Sequence, residues 1–314
     1  MPLPRLALAV IGDEIGPTLD EMISFAHEHG IKRLDMRTVG GRSLLGMTSD
    51  EVIDISRTLE KAGISVPTFV SPVLKWPAPG KSPAGGKVDF AFDPKECPVR
   101  DPLLHAMDIA VILGARNMRI FSYLRYDGFR PSDVTKSDSD LGTLLGYANH
   151  YDVVLQLENE PVCNVGNIAE LSAFFTAQDA EAAEREIRDV HFDKDEIEEQ
   201  DAEGSKAIYL RPLVDITNAW STGERPSDAD IAVLAPLTTA IHLKDRDLTA
   251  GKTVPLGDGN VPWSAELERL LKDVEAKEVL ASIETHCPQD RRNATARSVA
   301  ALRRIASEIG VALV

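Results

Sequence analysis

Short apolar runs rich in β-branched residues alternate along the whole chain with longer segments of helical periodicity. This alternation is typical of α/β proteins, in which βα units pack around a parallel sheet. About eight units can be counted, which predicts a single (β/α)8 barrel domain spanning residues 1–314, because such barrels often reach this length undivided. The predicted strands cover residues 6–12, 31–37, 64–72, 117–124, 152–160, 209–217, 239–247 and 279–287.

Two segments interrupt this alternation. Residues 73–100 are rich in Pro, Gly and Lys and predict a long loop after strand three, which is either a lid over the barrel mouth or a loop tied to its rim. Residues 177–206 are dominated by Asp and Glu and lengthen the connection into strand six. They predict a solvated helix or a partly mobile excursion, with an oligomer contact as a further possibility.

The charge and the cysteines narrow the function classes. A formal net charge of -16 disfavours nucleic acid and anionic membrane surfaces as partners and favours a small molecule. The first residues turn acidic before a plausible signal-peptide cleavage site, and no apolar run is long enough to span a bilayer, so we expect a cytoplasmic protein. The three cysteines, Cys97, Cys163 and Cys287, predict ordinary thiols because they form no CxxC pair.

Metal-ligating residue types occur where four successive late strands end. Glu158, Asp215, His242 and Glu284 lie at or near the ends of predicted strands five to eight. One such residue alone would usually cap a helix or pair with a basic side chain, but strand ends of a barrel converge at one mouth. The oxygen-rich set suits a hard divalent cation, with Mn²⁺ preferred and Mg²⁺, Co²⁺ and Zn²⁺ as alternatives.

The segments LQLENEP, LVDITNAWSTGERP, IHLKDRD with PLGDGNVPW, and SIETH resemble those of the xylose-isomerase-like TIM barrels. This superfamily of sugar isomerases and epimerases also includes ketose 3-epimerases, inosose dehydratases and endonuclease IV. The resemblance covers nearly the whole chain and implies that Glu158, Asp215, His242 and Glu284 bind the metal. It also implies that Glu158 and Glu284 act as acid and base on opposite faces of the substrate, through a metal-stabilised enediolate.

Six further side chains are predicted to line the substrate pocket, namely Arg37, Asn218, Trp220, Lys244, Arg246 and His286. Five of them have a structural alternative. A carboxylate partner is the better explanation for Arg37 and applies more to Arg246 than to Lys244, core packing is the default for Trp220, and a wall position is as good an explanation of His286 as substrate binding. Asn218 stands where the ketose 3-epimerase branch has a histidine, a departure that argues against that particular activity. Gly257 and Gly259 would let the backbone approach a ligand, although a plain turn explains them equally well.

The sequence therefore predicts a divalent-metal-dependent sugar isomerase or epimerase. The main alternative is a lyase using the same site, resembling inosose dehydratases or enzymes that cleave keto-glycosides. A nuclease of the endonuclease IV type would need a multi-histidine trinuclear site and a basic groove, and the acidic composition disfavours it. An unphosphorylated sugar, keto-sugar or cyclitol is the preferred substrate, phosphorylated ones remain open, and a homo-oligomer is possible.

Overall fold

Eight parallel strands form the centre of this computed structural model, which describes residues 3–85, 88, 90–131, 139–189 and 209–314. The strands are β1 (Arg5–Ile11), β2 (Leu34–Asp35), β3 (Thr68–Phe69), β4 (Asn117–Ile120), β5 (Val154–Glu158), β6 (Leu210–Asp215), β7 (Ala240–Leu243) and β8 (Glu278–Ile283). Their order in the sheet is β2-β1-β8-β7-β6-β5-β4-β3. Parallel bridges from Arg33 to Ser65 and from Met36 to Phe69 join the two ends of this order, so the predicted (β/α)8 barrel is confirmed.

Helices follow every strand and cover the outside of the barrel. They are α1 (Leu19–His29), α2 (Ser49–Lys61), α3 (Pro102–Leu113), α4 (Asp140–Tyr151), α5 (Ile168–Asp189), α6 (Ile216–Ser221), α7 (Asp228–Leu234), α8 (Trp263–Leu271) and α9 (Arg291–Glu308). The first two begin at threonines, Thr18 and Thr48, whose side chains accept from the backbone three residues later in complete capping boxes. Among the described residues, no helix is long and apolar enough to cross a membrane.

The main core lies between the barrel wall and the helices, and a second core lies inside the barrel. The interior cluster contains Ala7, Ala9, Leu213, Ala240 and Leu280, all buried. Because side chains two residues apart on a strand share a face, these residues point inward below the strand ends. Small alanines on β1 and β7 face larger leucines on β6 and β8, which fills the narrow interior.

The loop predicted over 73–100 contains a short 3₁₀ turn, Pro94–Glu96, and no α-helix among its described residues. The predicted acidic helix is observed as the end of α5, whereas residues 190–206 of that segment lie outside the described residues.

The seventh strand was predicted to extend through residue 247, but β7 ends at Leu243. The chain then leaves the barrel wall and forms a separate antiparallel hairpin of Asp245–Asp247 with Lys252–Val254. At the exit point, the Lys244 carbonyl accepts hydrogen bonds from Thr217 Oγ1 and Trp263 Nε1 instead of from a neighbouring strand. The prediction was too long because sequence alternation alone cannot distinguish a barrel strand from a hairpin that continues it.

Candidate metal centre and active site

The four predicted ligands meet at the mouth of the barrel. Glu158 and Asp215 are the last residues of β5 and β6, His242 lies in β7, and Glu284 directly follows β8. All four are buried, and one ligand atom from each lies within 4.8 Å of all the others. This separation is suitable for coordination of a shared ion.

Asp215 is oriented by a polar clamp between β5 and β6. The Asn159 side chain accepts from the Asp215 backbone N–H at 2.9 Å and donates to its carbonyl at 2.8 Å. Asp215 Oδ1 accepts from the Asn218 backbone N–H at 2.8 Å and so caps α6. Asp215 Oδ2 is buried and takes no part in this clamp.

Basic side chains of the protein itself contact the ligand oxygens. Lys244 Nζ lies 2.7 Å from Asp215 Oδ2, although not in hydrogen-bond geometry, and 2.8 Å from Glu284 Oε2. A guanidinium nitrogen of Arg119, Nη1, lies 3.1 Å from Glu158 Oε2 and 3.8 Å from Glu284 Oε1. Arg119 therefore bridges the two glutamates predicted to act as acid and base.

Arg37 connects the ligand cluster to two acidic residues that follow β1. It donates to Glu284 Oε1 at 2.9 Å, to Asp13 Oδ2 at 2.9 Å and to Glu14 Oε1 at 2.6 Å. The structural alternative for Arg37, a bridge to a carboxylate, is thus observed. The nearby Asp35 is not its partner, since that carboxylate accepts from the Thr68 backbone and from Ser282.

The ion contacts join these side chains into one network with an excess of negative charge. Five carboxylates face three basic side chains, which leaves two negative charges when the histidines are neutral. The carboxylates are those of Asp13, Glu14, Glu158, Asp215 and Glu284, and the basic residues are Arg37, Arg119 and Lys244. A divalent cation would neutralise this excess.

The pKa values at the site reflect the same electrostatics. Burial lowers the pKa of His242, but Glu158 and Glu284 outweigh it and raise this pKa to about 10. Burial raises the pKa of Glu158, yet His242 and Arg119 bring it down to about 2. For Asp215 burial prevails over Lys244 and raises the pKa to about 6. Without an ion, His242 is therefore protonated and donates from Nδ1 to Glu158 Oε1 at 2.9 Å.

These residues fit a hard divalent ion. Three carboxylates and one imidazole form an oxygen-rich donor set. The buried oxygen Asp215 Oδ2 contacts a cation, the ammonium of Lys244, and the network carries two excess negative charges once His242 is neutral, as a metal ligand must be. A buried excess of like charge is strongly unfavourable unless it is compensated.

Besides Arg37, two more of the six predicted substrate residues, Lys244 and His286, lie at this mouth. His286 Nε2 is 3.1 Å from Glu284 Oε1, and its side chain is 28% exposed. The residue has a positive φ of 49° and its backbone N–H donates to Glu14 Oε2 at 2.9 Å. His286 therefore forms part of the entrance wall.

The other three predicted substrate residues are held by different contacts. Arg246 donates to the Gly251 carbonyl at 2.8 Å within its own hairpin, apart from the ligand cluster. Asn218 donates to the Asn159 carbonyl at 2.7 Å as part of the β5–β6 clamp. Trp220 is partly buried, and the guanidinium of Arg225 lies 3.7 Å from the centroid of its ring.

Sequence reasoning missed several residues at the mouth. Asp13 and Glu14 lie in the 3₁₀ turn Gly12–Glu14 that follows β1, so the strand-end rule applied to all eight strands would have found them. Arg119 is a charge inside an apolar strand, which also signals a partner inside the barrel. Phe90 gave no such signal: its ring centroid lies 3.8 Å from the Arg37 guanidinium and 5.7 Å from the His286 ring. The loop over 73–100 therefore reaches the mouth.

The glycines of the GDGN segment surround a carboxylate of the protein. Asp245 accepts from the backbone N–H groups of Gly257, Gly259 and Val261 at 3.0 to 3.2 Å. A Cβ atom added to Gly259 would lie only 2.2 Å from Asp245 Oδ1. The turn explanation of these glycines is thus the one observed.

Comparison with known proteins gives consistent results. A family model described as xylose isomerase-like TIM barrel matches residues 23–305. Among curated proteins, no sequence matches significantly.

Three solved structures illustrate the shared fold. An IOLI protein with a bound zinc atom has a TM-score of 0.65 and 16% identity, covering 97% of this chain and 99% of its own. A xylose isomerase domain protein from Planctomyces limnophilus has a TM-score of 0.60 and 16% identity, covering 98% and 99%. A D-tagatose 3-epimerase-like protein has a TM-score of 0.59 and 13% identity, covering 97% and 99%. At such identities the similarity shows the fold alone.

Proposed function

The chain belongs to the xylose isomerase-like TIM barrel family, and from this premise we propose that it is a divalent-metal-dependent enzyme that isomerises or epimerises a sugar. The observation that carries the proposal is the buried ligand set, whose ion network has two uncompensated negative charges when His242 is neutral, as a metal ligand must be. The metal-binding and catalytic roles are assigned to the residues that form this set.

Glu158, Asp215, His242 and Glu284 would hold the ion. When bound, the ion would act as a Lewis acid that polarises a sugar carbonyl and makes the neighbouring C–H group acidic. Mn²⁺ fits the oxygen-rich set best, while the zinc atom of the IOLI protein keeps Zn²⁺ as an alternative.

Glu158 and Glu284 would move the proton. They come from β5 and from the end of β8, which are separated in the barrel by β6 and β7, so their carboxylates enter the site from different directions. Burial raises the pKa of each, but the adjacent cations keep Glu158 at about 2 and Glu284 well below its usual value. One ionised carboxylate can therefore accept a substrate proton to form an enediolate, and the other, after taking up a proton from solvent, can return that proton to the enediolate.

The charge of the network favours an uncharged substrate. Two positive charges from the ion would make the network neutral, which leaves no surplus cation for a phosphate group. Lys244 and His286 are assigned to hydroxyl or carbonyl oxygens of the substrate, and Arg119 to holding the two glutamates in place. We therefore favour an unphosphorylated sugar, keto-sugar or cyclitol.

A lyase reaction is the principal alternative, because removal of the same proton leads to elimination whenever a leaving group lies β to the carbonyl. A trinuclear nuclease site would require more histidines than the mouth offers among the described residues, where His242 and His286 are present. The other described histidines, His27, His29, His105 and His150, lie in helices.

The proposal is tested by stripping metal from the protein and restoring Mn²⁺, Mg²⁺, Co²⁺ or Zn²⁺ separately. Solvent deuterium uptake into a panel of ketoses, keto-sugars and cyclitols is followed by mass spectrometry, which also detects dehydrated or cleaved products. We expect exchange only with metal, and products without loss of water or aglycone; elimination products would assign the lyase reaction instead.

The glutamate roles are tested by Glu158→Gln and Glu284→Gln. The matched control is Glu266→Gln, which removes another buried carboxylate that contacts Arg269 at 2.6 Å on α8. Exchange should persist in the control and disappear in the double variant at the mouth. Exchange that survives in the double variant would contradict the proposed acid and base.

A further inference from the structure

Lys244 places a positive charge between two of the four proposed metal ligands. Its ammonium is 2.7 Å from Asp215 Oδ2 and 2.8 Å from Glu284 Oε2, and the residue is only 4% exposed. Its backbone is fixed, because its carbonyl accepts from Thr217 Oγ1 at 2.7 Å and from Trp263 Nε1 at 3.0 Å. Movement of the ammonium must therefore come from its four-carbon side chain.

The two oxygens that Lys244 contacts are the ones that a metal would need. The second oxygen of Asp215, Oδ1, already accepts the Asn218 backbone N–H. On Glu284 the second oxygen, Oε1, faces Arg37 at 2.9 Å and His286 at 3.1 Å. The ammonium of Lys244 thus contacts the remaining oxygen of each carboxylate, Asp215 Oδ2 and Glu284 Oε2. The further contact of Glu284 Oε2 comes from His242 Nδ1 at 3.5 Å, and His242 is itself a proposed ligand.

We propose that Lys244 is a built-in competitor of the metal, whose ammonium neutralises the ligand pair in the metal-free protein and leaves it when a divalent ion binds. The inference rests on the proposed function, since it concerns the same ligands. An ammonium and a divalent ion cannot both lie next to these two oxygens without strong repulsion. The repulsion is strong because the two positive charges would be close together in a buried site of low dielectric constant. Lys244 thereby becomes free to bind a substrate oxygen only in the metal-loaded enzyme.

A competing lysine and a supporting lysine have opposite effects on metal affinity. A lysine that merely oriented the carboxylates would help metal binding, and its loss would weaken affinity. A competitor lowers the affinity, so removing it should tighten binding. The measurement of metal affinity therefore distinguishes the two, independently of enzymatic activity.

The experiment titrates the metal-free full-length protein with Mn²⁺ by isothermal titration calorimetry. Lys244→Met, which keeps the length and apolar stem of the side chain, should bind Mn²⁺ more tightly than the wild type by roughly tenfold or more, because a nearby positive charge is lost. Lys244→Arg keeps the charge and should bind no more tightly than the wild type.

The matched control is Lys75→Met. Lys75 is also a buried lysine at the mouth, 5% exposed, but its ammonium lies 3.4 Å from Glu160 Oε2, a residue outside the ligand set. We expect its Mn²⁺ affinity to stay within about twofold of the wild type, since only a more distant charge is lost. A lower Mn²⁺ affinity in both methionine variants would indicate general damage at the mouth, and it would overturn the proposal that Lys244 competes with the metal.

Thermal unfolding gives a second readout for a variant of reduced stability. Metal-free Lys244→Met should unfold at a lower temperature than the metal-free wild type. Saturating Mn²⁺ should raise the unfolding temperature of this variant by more than it raises that of the wild type. Unchanged or weaker Mn²⁺ binding by Lys244→Met, beside measurable wild-type binding, would overturn the inference and leave the proposed function standing. Absence of binding by the wild type and by every Lys244 variant would overturn the metal site itself.

Discussion

The two ends of the barrel interior are built from the same strands but from opposite kinds of side chain. At the lower end Leu213 and Leu280 pack with alanines in a small apolar cluster. Two residues above Leu213 on β6 lies Asp215, and four residues above Leu280 lies Glu284. Because residues two apart on a strand share a face, the same inward face of each strand is apolar at the lower end and belongs to the buried ion network at the mouth.

The comparison separates stability from chemistry. Burial of the apolar side chains at the lower end stabilises the folded chain, because these side chains leave water. At the mouth, desolvated carboxylates are compensated by Arg37, Arg119 and Lys244 only in part. Such an arrangement stabilises the folded chain poorly, and a residual charge of this kind is typical of a functional site. Variants at the two ends should therefore affect different measurements.

The largest effect is expected for Glu284→Gln at the mouth. Glu284 contacts Arg37, Lys244 and His286 and is one of the two proposed proton carriers. Loss of its carboxylate should lower turnover by about a thousandfold, a typical contribution of a positioned general acid or base. Steady-state kinetics on the substrate found by isotope exchange measures this, with circular dichroism to verify folding. Turnover within tenfold of the wild type would remove Glu284 from the proton transfer.

Leu280→Ala should show the reverse pattern at the lower end. Leu280 is buried among small neighbours, so truncation leaves a cavity and should reduce the free energy of unfolding by about 2–5 kcal/mol. Urea denaturation measures the loss, and turnover per folded molecule should stay close to that of the wild type. A stable Leu280→Ala protein with strongly reduced turnover would contradict the division between the two ends.

Asp35 lies inside the barrel, and its expected effect depends on pH. Burial, opposed by hydrogen bonds from Ser282 and Thr68, raises its pKa to about 6. The folded protein therefore holds this proton more tightly than the unfolded chain, and stability present at low pH is lost as the pH rises through about 6. Asp35→Asn removes this loss, because the amide does not ionise. The free energy of unfolding of the variant relative to the wild type should therefore increase between about pH 4 and 6, by about 3 kcal/mol or less.

Urea denaturation of both proteins from pH 4 to 8 measures this difference. The control is Asp54→Asn, which replaces an exposed aspartate on α2 and should follow the wild-type pH profile. If the wild-type and Asp35→Asn profiles ran parallel across this range, the buried carboxylate would not be the source of the pH dependence.

The smallest effect is expected for Arg5→Ala at the outer rim of the lower end. Arg5 contacts Glu278 at 3.1 Å, but the two side chains are 59% and 40% exposed. Solvent screening should limit the change in the free energy of unfolding to less than about 1 kcal/mol, with no change in turnover. A larger change would show that the rim contributes to the barrel in ways that its exposure does not indicate.

The strands, and the meeting of four metal-ligating residue types at the barrel mouth, were predictable because both depend on short-range pattern. Each barrel strand overlaps its predicted segment, and Glu158, Asp215, His242 and Glu284 stood out as metal-ligating residue types at successive strand ends. The partners of these residues were harder to predict from the sequence. Arg37 bonds to Asp13 and Glu14 from another βα unit, and the departure of Arg246 from the barrel wall depends on pairing with Lys252–Val254.

The order of apolar and polar residues by itself determined the barrel, its single domain and the residue types at its mouth, since local periodicity decides which elements form and which face is buried. Only the tertiary structure decided which charges meet: the contact of Lys244 with Asp215 and Glu284, and of Phe90 with Arg37. Such contacts join elements far apart in the chain. Their energies depend on distances and burial that arise when the barrel closes, and no local pattern in the sequence encodes them.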